Sequence, residues 1–294
     1  MNKVGFIGVG IMGKSMVRNL MKAGFELHIY ARTKSKVEDV ISEGAQFHES
    51  IKDCVKDCDA VITIVGFPQD VEEVYFDEGN ILDSAKKGAY LIDMTTTSPQ
   101  IAEKIYEEGT KRGFHVMDAP VTGGDTGAKS GTLSILVGGE KEDYEACMPL
   151  FEAMGTNINY QGKAGCGQHC KLANQIMIAG TLSGVCEALT YAKEQGLDPE
   201  VFMKSVATGA AGSKQLDTFG PKILKDDYAP GFFMKHFIKD MKLALIEANR
   251  KGLSLDVLSM VLANYEELEQ EGYGDLGTQA LMKFYDEEHR NTEE

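Results

Sequence analysis

"KVGFIGVGIMGKSMVRNLMKAG" (3–24) decides the fold. Its first residues, Lys3 to Gly8, form a short apolar run that reads as a buried strand. From Ile11 to Ala23 the apolar residues recur at helical spacing, and Gly24 stops the pattern. Between strand and helix lie Gly8, Gly10 and Gly13, in G-x-G-x-x-G spacing. The spacing alone says little; its place between a strand and a helix gives it meaning. Gly8 permits a tight turn, Gly10 lets the backbone approach a pyrophosphate, and Gly13 lets the helix pack close to the strand. The helix start, at Ile11 and Met12, then faces the phosphates. A glycine-rich turn with no ligand is the plainer alternative, and the strand–turn–helix context favours a dinucleotide.

Outward from this stretch the alternation continues. "ELHIY" (26–30), "AVITIV" (60–65), "AYLIDM" (89–94), "FHVMDAP" (114–120) and "TLSILVGG" (132–139) are apolar runs separated by helical segments. That order predicts a parallel, doubly wound α/β sheet with helices on both faces. After Gly162 the character changes. From about Gln168 to Gln195 the pattern is helical, rich in small residues and free of proline. "DPEVFMKSVA" (198–207) opens on an Asp-Pro cap, and "HFIKDMKLALIEANRKG" (236–252) ends at a glycine. The expected organisation is therefore an α/β domain over 1–163 and an all-helical domain over 164–294. The charged tail "DEEHRNTEE" (286–294) is expected to fray.

Composition narrows the function classes. The chain has 294 residues and a formal net charge of -15, with 43% hydrophobic and 26% charged residues. That is a globular balance, and the acidity argues against nucleic acid and anionic membranes as partners. No stretch approaches the roughly 18–20 apolar residues of a membrane span, and the N-terminus lacks a signal-peptide pattern. The six cysteines form no C-x-x-C pair. They read as reduced thiols of a cytoplasmic protein.

A site for NAD usually carries an acid at the end of the second strand, to accept from the ribose hydroxyl. Here the strand is followed by "ARTKSK" (31–36), which offers Arg32, Thr33 and Lys36 instead. A guanidinium and an ammonium suit a 2′-phosphate, so NADP is the preferred cofactor and NAD the alternative. The plainer reading is a solvated basic turn.

Five stretches together resemble the β-hydroxyacid dehydrogenase family, which includes 3-hydroxyisobutyrate dehydrogenases, tartronate semialdehyde reductases and glyoxylate/succinic semialdehyde reductases. They are "GFIGVGIMG" (5–13), "DMTTTSP" (93–99), "DAPVTGG" (118–124), "GCGQHCKLANQ" (165–175) and "KDMKLAL" (239–245), in family order across nearly the whole chain. The resemblance implies a Rossmann domain followed by an all-α domain like the C-terminal part of 6-phosphogluconate dehydrogenase. It implies a nicotinamide cofactor, a small aldehyde-bearing or hydroxy carboxylic acid as substrate, and a homodimer or homotetramer. By position, Thr96 and the turn carrying Val65, Gly66 and Phe67 match cofactor contacts. Thr122, Gly123 and Gly124 match a substrate-carboxylate loop. Lys171 matches the catalytic lysine, Asn174 a substrate-orienting residue, and Lys239 a residue near the nicotinamide. Near the C-terminus the chain departs from the pattern, with Gly277 in place of an acid and Gln279 in place of a serine.

The chemistry of these residue types agrees with those roles. A turn of one hydroxyl and two glycines can gather backbone N–H groups around a carboxylate. Reduction of a carbonyl builds negative charge on oxygen, and an ammonium can stabilise it and deliver the proton. Partial burial or nearby cations would lower a lysine's pKa and suit it to that task. Asn174 stands three residues after Lys171, on the same helical face. Phe232 or Phe233 could wall the pocket, although phenylalanine at that spacing is more often core. Cys166, His169 and Cys170 could form a metal tripod on one helix. No second ligand pair at zinc-finger-like spacing exists elsewhere, so no metal is expected and these three are read as the packed side of a helix start. A catalytically silent dinucleotide-binding module is the rival from another class. An imine reductase or a 6-phosphogluconate-type dehydrogenase is the rival among enzymes.

Overall fold

The computed structural model describes residues 1–285. The tail 286–294 lies outside the described residues. The chain forms two compact units, Met1–Lys171 and Leu172–Glu294.

The first unit is a nine-stranded sheet with helices on both faces. The strands are β1 (Lys3–Ile7), β2 (Glu26–Tyr30), β3 (Gln46–Phe47), β4 (Ala60–Thr63), β5 (Tyr90–Asp93), β6 (His115–Asp118), β7 (Val121–Thr122), β8 (Leu133–Gly139) and β9 (Gly155–Gly162). The helices are α1 (Ile11–Lys22), α2 (Glu38–Ser42), α3 (Ile51–Val55), α4 (Pro68–Phe76), α5 (Ile81–Ser84), α6 (Pro99–Lys111), α7 (Gly124–Ser130), α8 (Lys141–Ala146) and α9 (Met148–Met154). Strand order is β3-β2-β1-β4-β5-β6-β8-β7, with β9 on β8. From β3 to β6 every pairing is parallel. Alternate residues enter two cores. Val4, Phe6, Ile29 and Ile62 face one core with Met16, Val17 and Leu20 of α1. Ile7, Val61, Leu91 and Val116 face the other with Val71, Tyr75 and Ile105. This is a doubly wound Rossmann sheet, reached by βαβ crossovers.

The far edge departs from the all-parallel expectation. β8 runs antiparallel to β6 and β7. A parallel return requires a crossover of about a dozen residues or more, and the short connection through α7 is too brief. β6 and β7 pair with β8 in one register, interrupted at Pro120, which has no N–H to donate. β9 ("GTNINYQG") carries almost no apolar signal because it is an edge strand with a single fully buried residue, Gly155.

The second unit is helical. The long helix α10 (Cys166–Glu194, 29 residues) begins within the first unit and continues through the second. It is followed by α11 (Pro199–Val206), α12 (Lys214–Ile223), α13 (Met234–Arg250) and α14 (Asp256–Gln270). Asp198 caps α11, its carboxylate accepting from Glu200 and Val201 N–H, with Pro199 at the first helical position. Leu182, Cys186 and Leu189 of α10 share a core with Phe237, Met241, Val261 and Tyr265. By length and composition α10 could cross a bilayer, contrary to the expectation that no stretch comes close. Leu172, Ala179, Leu182, Val185, Cys186 and Leu189 instead go into this core, while Met177 and Tyr191 are exposed. The two compact units divide between Lys171 and Leu172, inside α10. The first turns of α10 are bonded to the sheet, as described below.

Candidate active site

The glycine turn closes β1 onto α1. At Gly8 φ is +97°, and a Cβ there would lie 2.1 Å from the Ile64 carbonyl oxygen. A Cβ at Gly13 would lie 2.1 Å from the Gly8 carbonyl oxygen. Both glycines are therefore demanded by backbone packing. Gly10 is different: a Cβ there would meet nothing within 4 Å. It leaves open space at the N-terminus of a 12-residue helix that has no side-chain cap. Exposed Ile11 and half-buried Met12 begin that helix. Uncapped N–H groups beside open space fit a pyrophosphate.

Around this turn the strand ends are cross-braced. Thr95 is the centre of the network. Its hydroxyl accepts from Val65 N–H at 3.0 Å, and its own N–H donates to Asp93 Oδ1 at 3.1 Å. Gln168, fully buried, donates through Nε2 to Thr95 O at 2.7 Å and accepts through Oε1 from Thr97 N–H at 3.0 Å. The turn bearing Val65, Gly66 and Phe67, the loop bearing Thr96 and the start of α10 are thus tied together. Burial pushes the Asp93 carboxyl up to about 6, against hydrogen bonds from Thr95 and Thr63 that pull it down.

α10 has a cap supplied by the sheet. The Asp118 carboxylate accepts Gly165 N–H through Oδ1 and Gln168 N–H through Oδ2, each at 2.8 Å. Burial raises its pKa, while those two backbone donors oppose the shift. A Cβ at Gly167 would lie 2.4 Å from Leu136 O, and one at Gly138 would lie 2.6 Å from Asp118 Oδ1. The helix start therefore approaches the sheet as closely as glycine allows. On this anchored start Lys171 is 7% exposed. Asp118, Gln168 and Gly167 are positions that sequence reasoning missed. The only signal available was that "DAP" and "GCGQ" lie within motifs already noticed for other residues.

The polar partners of Gln168 also reverse an expectation about this helix. Gln168 and Lys171 are buried, whereas Cys166 and Cys170 are half-buried and His169 is exposed. The cysteine–histidine side is therefore not the packed one. Among the described residues no group of three His, Cys, Asp or Glu side chains is gathered as a metal centre requires.

The remaining sequence candidates fall as follows. Gly123 and Gly124 have φ of +128° and +65°, conformations that favour glycine, and α7 starts there after half-buried Thr122. Arg32 is exposed and bound to two acids, its Nη2 lying 2.6 Å from Asp70 Oδ1 and 3.0 Å from Glu73 Oε2. Thr33 and Lys36 are exposed beside it. All of these belong to the first unit, together with Lys171. Asn174, Phe232 and Lys239 belong to the second. Asn174 Nδ2 donates to Gln175 Oε1 at 2.8 Å, and buried Gln175 donates through Nε2 to buried Asp240 at 2.6 Å. The other Asp240 oxygen lies 3.0 Å from Lys239 Nζ. Phe232 is half-buried, stacked on His236 and edge-on to Phe237. Buried Gln279 donates to Asp227 O and Ala229 O. Its side chain fills the place of any side chain at position 277, since a Cβ on Gly277 would lie 2.3 Å from Gln279 Oε1.

Two family models match the chain. One, described as the NAD binding domain of 6-phosphogluconate dehydrogenase, matches residues 3–162. The other, described as NAD-binding of NADP-dependent 3-hydroxyisobutyrate dehydrogenase, matches residues 165–285. The chain is 50% identical to the oxidoreductase YkwC of Bacillus subtilis, over 96% of this chain and 98% of that protein. It is 44% identical to a probable 3-hydroxyisobutyrate dehydrogenase-like 1, mitochondrial, of Arabidopsis thaliana, over 95% of this chain and 84% of that one. Among solved structures it is similar to a Mycobacterium tuberculosis 3-hydroxyisobutyrate dehydrogenase with L-serine. That match has a TM-score of 0.88 and 26% identity, covering 96% of this chain and 98% of that one.

Proposed function

The chain belongs to the β-hydroxyacid dehydrogenase family, and from that premise we propose an NADP-preferring enzyme that interconverts a small β-hydroxy acid and its semialdehyde. The coarser activity follows from its relatives: a nicotinamide-dinucleotide-dependent hydroxyacid dehydrogenase of the 3-hydroxyisobutyrate dehydrogenase type. The observation that carries the finer reading is Lys171, a lysine only 7% exposed on a helix start anchored to the sheet. Burying an ammonium is costly, and a buried position on a rigid element suits a proton donor better than a surface charge.

When bound, the nicotinamide supplies the hydride. In this reading Gly10, Ile11 and Met12 receive the pyrophosphate, with Gly8 and Gly13 shaping the turn. Arg32, Thr33 and Lys36 receive the adenosine ribose, and Val65, Gly66, Phe67, Thr96 and Lys239 line the rest of the cofactor. Thr122, Gly123 and Gly124 bind the substrate carboxylate, Asn174 orients the reacting hydroxyl, and Phe232 offers an apolar wall. Lys171 Nζ donates a proton to the carbonyl oxygen in reduction and accepts one from the hydroxyl in oxidation. L-serine, the compound named with the Mycobacterium structure, is itself a β-hydroxy acid. A cytoplasmic homodimer or homotetramer is part of the same proposal.

The test is NADPH oxidation with glyoxylate, succinic semialdehyde, tartronate semialdehyde and methylmalonate semialdehyde. At least one should turn over, and Lys171→Ala should lower kcat by about 10²–10⁴-fold. A Lys171→Ala enzyme with wild-type kcat removes the lysine from the mechanism. Tight NADPH binding with no turnover of any substrate favours the silent module.

A further inference from the structure

Arg32, the cation best suited to a 2′-phosphate, already has partners. Its Nη2 bonds Asp70 at 2.6 Å and Glu73 at 3.0 Å, both on α4. Asp70 does a second thing: its Oδ2 accepts Phe67 N–H at 2.9 Å, closing the first turn of α4. One carboxylate therefore ties the turn after β2 to the turn after β4, the two turns assigned above to the cofactor. Of the neighbouring cations, Lys34 lies 3.4 Å from Glu49 and over the Phe47 ring. Around Arg32 itself, one positive charge faces two negative ones.

We propose that Asp70 and Glu73 are specificity-determining residues for the adenosine end of the cofactor, holding Arg32 when the ribose carries a free 2′-hydroxyl and competing for it with a 2′-phosphate. The inference rests on the dinucleotide site proposed above. A phosphate brings up to two further negative charges to a spot where the acids already outnumber Arg32. It binds well only if the guanidinium turns from carboxylate to phosphate. The two acids differ in what their release costs. Glu73 is 51% exposed, so freeing it costs little. Asp70 is 19% exposed and its other oxygen is held by the Phe67 N–H, so its carboxylate stays fixed beside the guanidinium and cannot swing away. Glu73 is therefore the acid that yields, and Asp70 remains. The pair reduces the preference that Arg32 creates, leaving a chain that accepts both cofactors with NADP ahead by a modest factor.

The test is equilibrium binding to the purified full-length chain, with no substrate present. Dissociation constants for NADPH and NADH, and for 2′,5′-ADP and 5′-AMP, are compared in the wild type, Glu73→Gln and Asp70→Asn. Glu73→Gln should tighten NADPH and 2′,5′-ADP about threefold and leave NADH and 5′-AMP unchanged. Asp70→Asn should act in the same direction, because the amide oxygen can still accept from Phe67. Unchanged NADPH affinity in both variants, or equal tightening of all four ligands, overturns the proposal. A wild type that favours NADH, with selective tightening of NADPH in Glu73→Gln, refutes the NADP preference but upholds the competition. A wild type that favours NADPH, with no effect of either variant, does the reverse.

Discussion

Gly10 and Gly13 stand three residues apart and do opposite things. Gly13 has no room for a methyl group because the Gly8 carbonyl oxygen would be 2.1 Å away, whereas Gly10 faces open space. Alanine scanning should therefore separate fold from ligand. Gly13→Ala and Gly8→Ala should lower the thermal midpoint, by several degrees for each kcal/mol lost. Gly10→Ala should leave the midpoint of the free protein within about 1 °C and weaken NADPH binding at least about tenfold, through steric contact with the phosphates. Equal melting losses for all three variants would mean that Gly10 is as structural as its neighbours. The spacing of the three glycines was legible in the sequence, and so was the context that makes them a binding turn. So was the assignment of Gly10 to the ligand side; the atoms that crowd Gly8 and Gly13 were not, since those depend on where Ile64 and Phe6 lie across the sheet.

At the scale of elements, the start of α10 depends on a residue far away in sequence. Asp118 closes β6 and accepts two N–H groups of the helix start. Asp118→Ala leaves those buried donors without an acceptor, and stability should fall by roughly 2–4 kcal/mol. Asp118→Asn, which keeps one acceptor, should lose less. Chemical denaturation measures both, and a neutral Asp118→Ala would show that water or a shifted helix start replaces the carboxylate. Helix α10 itself was legible from its proline-free, periodic run, as were the strands with continuous apolar residues. β3 and β9 were not: one has two residues, and the other is an edge strand whose exposed side chains follow no apolar alternation. The antiparallel β8 was read as a strand but assigned the wrong direction, because an apolar run looks the same from either end. Its direction comes from the short connection through α7 and the break at Pro120.

On the whole molecule, a formal net charge of -15 opposes every anionic ligand the site is built to hold. Arg32 cannot reverse that field locally while Asp70 and Glu73 bind it. Added salt should therefore speed NADPH association by screening repulsion, up to roughly physiological ionic strength. Stopped-flow rates that fall monotonically with salt would instead reveal a net attractive site. The sequence by itself determined the class of fold, the dinucleotide turn and the position of Lys171. These rest on local periodicity and on motifs whose parts adjoin in the chain. Tertiary structure alone decided the rest: that Lys171 is buried while the neighbouring cysteine–histidine side is not, that Asp118 caps α10, and that Arg32 is shared with two acids. Each is a meeting of residues dozens of positions apart, and short-range patterning carries no trace of it. Burial and pairing are set by what the folded chain brings alongside, so the "ARTKSK" turn reads as a phosphate site in the sequence while its Arg32 is held by two acids in space.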